Sequence, residues 1–123
     1  MTKSRKPKVH LWVTSSFIGF HQWPEAPNVV AYLRNLHRHV FGVKVTVQVT
    51  HSDRQVEFHL LKAFMDSYIS SDLLPMLRRS PSMSCEQLAR AIGSDLLLSN
   101  YQVVSVQVDE DGECGAEWFF TKT

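Results

Sequence analysis

The chain has 123 residues, of which 44% are hydrophobic and 20% charged, and its formal net charge is +1. That is the size and composition of one globular domain with a modest core. It argues against a general nucleic-acid binder, which carries a strong basic excess, and against a membrane span, because no apolar run approaches the roughly 20 residues one needs.

Two cysteines, Cys85 and Cys114, cannot build a secreted disulfide framework, so free thiols in a reducing compartment, the cytoplasm, are expected. No apolar stretch follows the N-terminal charges as a secretory signal requires. Residues 1–8, with Lys3, Arg5, Lys6 and Lys8 around Pro7, form a basic tail expected to be flexible. A single domain is expected over 9–123. Val9, Leu11 and Val13 alternate with His10, Trp12 and Thr14, which predicts a strand. The phase breaks at Ser15 and Ser16, where a bulge is expected before the chain extends to His21. Gln22 to Asn28 holds Pro24 and Pro27 and is a loop. Val29 to Leu36 has room for a helical turn.

The clearest element is His39 to Thr50. Phe41, Val43, Val45, Val47 and Val49 share one face and β-branched residues dominate, as in a strand. A turn follows over His51 to Arg54, then a short strand over Val56 to Phe58. From His59 to Ile69 the period changes: Leu60, Leu61, Phe64, Met65, Tyr68 and Ile69 make the stripe of an amphipathic helix. Pro75 and Pro81 end it. Ser84 with Gln87 three residues on is a capping-box pattern, opening a second helix with Leu88, Ile92 and Leu96 on its apolar face. Val104, Val106 and Val108 alternate in another strand, Asp111 and Gly112 signal a turn, and a last strand runs from Ala116 to Thr121. The order strand, strand, helix, helix, strand, strand predicts an α+β fold: an antiparallel sheet with one face covered by two helices.

His37 and His39 stand two apart on an extended segment, so their side chains share a face with Cα atoms about 6–7 Å apart. Two imidazoles at that spacing can converge on one ion. His21, at the end of the first strand, is the natural third ligand, and three neutral nitrogens with one open position is the catalytic zinc arrangement. A His-x-His pair alone is also what two partly exposed strand histidines look like; His10, His51 and His59 fit as surface or helix-start residues. Metal binding requires an acceptor behind each ring, and the sequence does not name one.

The run Phe17, Ile18, Gly19, Phe20, His21, then Leu36, His37, Arg38, His39, Val40, Phe41, resembles the 6-pyruvoyl- and 6-carboxy-tetrahydropterin synthases, which carry a first-strand His and then His-Gly-His opening a long strand. The resemblance continues through Glu57, Phe58, Leu61 and Lys62, through Ser84, Cys85, Glu86, Gln87, Leu88 and Ala89 (similar to the family's Pro-Thr-x-Glu-x-x-Ala), and through Val106, Gln107, Val108, Asp109 and Glu110 (similar to Val-x-Val-x-Glu). It spans Phe17 to Trp118 in order.

The resemblance implies a tunnelling fold whose ββααββ units assemble by oligomerisation into a barrel, as trimers or hexamers. It implies Zn2+ on His21, His37 and His39, and a pterin-like ring bound through Glu110 and Glu86, since a carboxylate accepts two hydrogen bonds from a guanidine-like edge. The implied substrate is 7,8-dihydroneopterin triphosphate or a relative, with Arg34, Arg38, Arg78 and Arg79 as cations for the leaving triphosphate. The chain also departs from the family. Leu33 stands at the position of the catalytic Cys, and Leu73 where the His of an Asp-His pair belongs, with Asp72 beside it. Arg38 replaces the central Gly and puts a charge beside the metal region. The base is then another group, such as Cys85 at a helix N-terminus, where the dipole lowers a thiol's pKa, or Glu25 in the loop before the His-x-His pair. Otherwise the reaction differs, or the protein binds its ligand without turnover. The leading expectation is a zinc-dependent carbon–oxygen lyase of a reduced-pterin, queuosine or other 7-deazaguanine pathway. The alternatives are a non-catalytic pterin- or guanine-binding protein, and a zinc-stabilised interaction module.

Overall fold

The computed structural model describes residues 8–51 and 53–120. The basic tail, apart from Lys8, lies outside the described residues, as does Thr121.

The long first strand, β1 (Val9–His21), pairs antiparallel with β2 (His37–Val49). Between them runs a loop with a 3-10 segment over Asn28–Arg34, the helical turn for which Val29 to Leu36 had room. After β2 come α1 (Phe58–Tyr68), a π-helical turn (Ile69–Leu73), α2 (Leu74–Arg79) and α3 (Cys85–Leu98). The hairpin β3 (Val103–Glu110) and β4 (Cys114–Phe119) closes the domain. The sheet order is β1-β2-β3-β4 with every neighbour antiparallel. The helices cover one face, as the period-two and period-3.6 patterns require.

Three expectations need correction. The first strand carries no bulge: its pairing runs one to one from Val9 opposite Val49 to His21 opposite His37. Ser15 stays in phase with Val13 and Phe17 on the helix side because its hydroxyl donates to the Asp66 carboxylate of α1, which pairs a polar group that would otherwise be costly there. The irregularity lies instead where β2 meets β3, at Thr46 and Val47. Second, Val56 to Phe58 is no strand. Glu57 caps α1, accepting from the backbone N–H groups of His59 at 2.9 Å and Leu60 at 3.3 Å. Third, Pro75 does not end the helical run. The chain widens into one π turn, in which the Leu74 N–H reaches the Ile69 carbonyl, and Pro75 then sits in the first turn of α2, where its missing N–H costs nothing.

The widened turn keeps one buried stripe, Leu61, Met65, Ile69, Leu73 and Leu77, on the sheet. α3 adds Leu88, Ala89, Ile92 and Leu96, and the sheet supplies Phe41, Val43, Val45, Val47, Val106 and Val108. Gly93 lets the Phe120 ring seat on α3: a Cβ there would meet the ring at 2.2 Å. The predicted capping box is present, with both Ser84–Gln87 bonds made. Two backbone bonds hold the loops at the far end of the sheet: Gln22 N–H to the Pro81 carbonyl at 2.8 Å, and Trp23 N–H to the Leu33 carbonyl at 2.7 Å. Among the described residues no helix is long and apolar enough to cross a membrane.

Candidate metal centre and ligand cleft

The same alternation that buries the valines of β1 and β2 carries on to the strand ends, where the helix-facing positions become His21, His37 and His39. His21 and His37 are direct cross-strand partners, and His39 lies opposite Gly19. The rings meet edge to face, with centroids 4.6 Å (His21–His37), 4.9 Å (His37–His39) and 5.2 Å (His21–His39) apart. One nitrogen from each lies within 4.8 Å of the other two. Phe41 stands below, 5.1 Å from His21 and 5.6 Å from His39, and fixes the rings from the core side.

Each Nδ1 has an acceptor. His21 donates to the Met83 carbonyl at 2.9 Å, His37 to the Asn35 carbonyl at 2.9 Å, and His39 to the Asp111 carboxylate at 2.7 Å. A carbonyl or carboxylate only accepts, so each Nδ1 carries a hydrogen, and a ring in its neutral form then presents Nε2 as a lone pair. These are the orienting partners a ligating histidine needs. Burial holds the His21 imidazole below its ordinary pKa of 6.5, against the pull of the Met83 hydrogen bond and the Glu110 charge; the neighbouring His37 and His39 add to the lowering. The hydrogen bond from His39, reinforced by Val40 N–H, holds Asp111 below the usual carboxylate range.

Glu110, at the end of β3 and opposite Phe41, turns its carboxylate onto the cluster. Oε2 is 2.9 Å from His21 Nε2 and Oε1 is 3.7 Å from His39 Nε2. The short contact is favourable with a proton or a cation between the two atoms. Among the described residues the buried Nε2 of His39 has no hydrogen-bond partner. Three converging imidazoles, an orphaned buried nitrogen and a facing carboxylate are a donor set that fits a borderline divalent ion such as zinc.

Above the cluster opens a cleft of about 470 Å³, lined by His21, His37 and Glu110, by Gln22, Trp23 and Leu33 of the loop after β1, and by Ser82, Met83, Ser84, Glu86 and Gln87 at the start of α3. That is the size of a small-molecule site. It gathers Glu86 and Glu110 with the histidines and leaves the other expected residues elsewhere. Arg38 sits between His37 and His39 in sequence, so alternation turns it to the opposite face and out of the cleft lining, but its charge still reaches Asp111, the acceptor behind His39. Arg34 is engaged within its own loop, with Nε on the Ala26 carbonyl at 2.8 Å and Nη2 on Asn28 Oδ1 at 2.7 Å. Arg78 lines a separate depression beside β1 with Ile18, Phe20 and Leu36. Glu25 is exposed in its turn and outside the cleft lining. Asp72, on the π turn, contributes its charge to Tyr68 and Asp95 and not to the cluster. Among the described residues no lysine or arginine lines the cleft.

Cys85 departs most from expectation. It is the first residue of α3, but it is buried. Burial, then the nearby charges of Glu110 and Glu86, push its thiol up to about 12; the helix dipole does not yield a thiolate there. Leu33, by contrast, does line the cleft, whereas Leu73 is sealed in the core. Asp111, Gln22 and Gln87 were missed. Asp111 carried a signal that was read only as a turn; the Met83 and Asn35 carbonyls carried none, since every residue has a carbonyl.

No family model matches the chain, and no curated protein matches it by sequence. The fold is shared with solved structures. The 6-pyruvoyl tetrahydropterin synthase of Caenorhabditis elegans superposes with a TM-score of 0.66 at 15% identity, over 97% of this chain and 100% of that one. An uncharacterized protein from Wolinella succinogenes does so with a TM-score of 0.66 at 14% identity, over 94% and 99%. The chain therefore has the tunnelling fold of that synthase.

Proposed function

We propose that the protein is a zinc-dependent enzyme of the 6-pyruvoyl/6-carboxy-tetrahydropterin synthase type, acting on 7,8-dihydroneopterin triphosphate or a related pterin or purine-like compound in reduced-pterin or 7-deazaguanine chemistry. The observation that carries this is the convergence of His21, His37 and His39, each with its Nδ1 committed to an acceptor, at the foot of a ligand-sized cleft on this fold. His21, His37 and His39 would hold the zinc ion. Bound there, it supplies Lewis acidity toward oxygens of the ligand's side chain.

The other roles fall to the cleft walls. Trp23, Leu33 and Met83 give a flat ring apolar surface and exclude water. Glu110 is placed to accept from its guanidine-like edge. For proton transfer, Cys85 stays a thiol at neutral pH and Glu25 and Asp72 lie off the cleft. Glu86 is the lining carboxylate that no histidine engages, and in this reading it moves the proton. A triphosphate draws its counter-charge from a second subunit, with Arg38, Arg78 and Arg79, all exposed, as the cations that reach across. β1 and β4 are the sheet's edge strands, and Trp12, Ile18, Phe20 and Val40 leave apolar surface on the uncovered face. Both features support a homo-oligomeric barrel in which a neighbour pairs with these edges.

Leu33 favours a second reading, in which the site binds a pterin or guanine-like compound without turnover. It occupies the cleft wall where the family carries its catalytic thiol, and no proton moves through it. A mass-spectrometric assay with 7,8-dihydroneopterin triphosphate separates the two. The enzyme reading expects chelator-sensitive loss of triphosphate. No product, with retained zinc and measurable ligand affinity, would establish the second reading in its place.

A further inference from the structure

Three histidines alone would leave a metal with an open position, and Glu110 stands where that opening would be. Its carboxylate spans two imidazoles, Oε2 at 2.9 Å from His21 Nε2 and Oε1 at 3.7 Å from His39 Nε2. Both Nδ1 atoms are already committed, to the Met83 carbonyl and the Asp111 carboxylate, which leaves both Nε2 atoms turned toward Glu110. His39 Nε2 is buried with no hydrogen-bond partner among the described residues. A proton can bridge the 2.9 Å contact but not the 3.7 Å one; a dication between the oxygens and the two nitrogens serves both. Tetrahedral zinc with bonds near 2.0–2.2 Å separates neighbouring ligand atoms by about 3.3–3.5 Å, and the two observed distances bracket that spacing.

The backbone holds Glu110 in this position. Asp111 N–H donates to the Val40 carbonyl at 2.8 Å, and the Asp111 carboxylate accepts from Val40 N–H at 2.8 Å while also holding His39. One turn thus orients both His39 and Glu110. On the far side the Cys114 thiol lies 4.0 Å from Oε1, too long to compete for the oxygen.

We propose that Glu110 is the fourth protein ligand of the metal in the ligand-free protein, and that an incoming ring must draw it away to open the site. This rests on the metal site proposed above and deepens it. The resting centre is a closed three-histidine, one-carboxylate site. A ligand with an N–H-rich edge opens it by offering that carboxylate better hydrogen bonds, so ligand binding and metal coordination are linked.

The test uses the metals alone. Zinc affinity, by competition with a chromophoric chelator, and the visible spectrum of the cobalt(II)-loaded protein are measured for wild type, Glu110→Gln, Glu110→Ala and His37→Ala, with circular dichroism melts confirming that each is folded. The expected result is zinc binding weakened at least about tenfold in both Glu110 variants, with an altered cobalt spectrum. Unchanged affinity and spectrum in both, alongside loss of metal in His37→Ala, would overturn the role of Glu110 and leave the histidine site standing. Wild-type affinity in His37→Ala, or no zinc bound by the wild type, would overturn both.

Discussion

Midway along β1 and β2 the helix-facing positions are Val13, Val45 and Val47, sealed under α1 and α3. At the end of the same strands, on the same face and in the same unbroken register, they are His21, His37 and His39, open to a cleft. The backbone is the same at both places. What differs is the side chains and what caps them: in the middle, Leu61, Met65 and Leu88; at the end, the Met83 carbonyl, Asp111 and Glu110. A regular sheet therefore acts as a ruler that sets ring spacing, and short polar segments at its end convert a packing surface into a donor set.

That contrast predicts separable effects. The largest change in stability should come from the middle. Leu88→Ala removes a fully buried side chain and should cost about 2–5 kcal/mol of unfolding free energy, read by urea titration, with zinc bound per folded molecule unchanged. A joint loss of zinc affinity in the folded fraction would mean that the two regions are not independent. Next, Asp111→Asn should weaken zinc about 10–100-fold, because His39 loses a charged acceptor. The melting temperature should stay close to wild type, since asparagine tolerates the positive φ of 58° at that turn. A melting transition that fell as far as in Leu88→Ala would show Asp111 to be structural.

The smallest effect is one of pH. His21 has its folded pKa depressed below 6.5, so the unfolded chain takes up the proton first. The metal-free protein should keep the His21 contribution above pH 6.5 and lose stability as pH falls below it, toward the depressed folded value. His21→Gln should flatten that slope in urea midpoints measured against pH. A slope unchanged by the substitution would place the proton uptake elsewhere.

Much of this was legible because it is periodic. The alternation of β2 showed the strand, the face and the shared direction of His37 and His39; the same alternation turns Arg38 to the other face, from which its charge still reaches Asp111. The capping box at Ser84 is local and was readable. What failed depended on partners distant in the chain. Ser15 broke the apolar phase, but Asp66, fifty-one residues on, lets it stay in register. Pro75 should stop a helix, yet one π turn admits it. Cys85 has the helix position of a reactive thiol, and burial outweighs the dipole. The acceptors behind the rings of His21 and His37 are backbone carbonyls brought by loops, which no side-chain pattern announces.

The proposed function requires one zinc ion held by three imidazoles, and the most direct measurement is a zinc titration of chelator-stripped wild type and His37→Ala by calorimetry. One equivalent per chain in the wild type, lost in the variant while its fold persists, is the predicted result. Equal zinc binding by both, or none by the wild type, would contradict it.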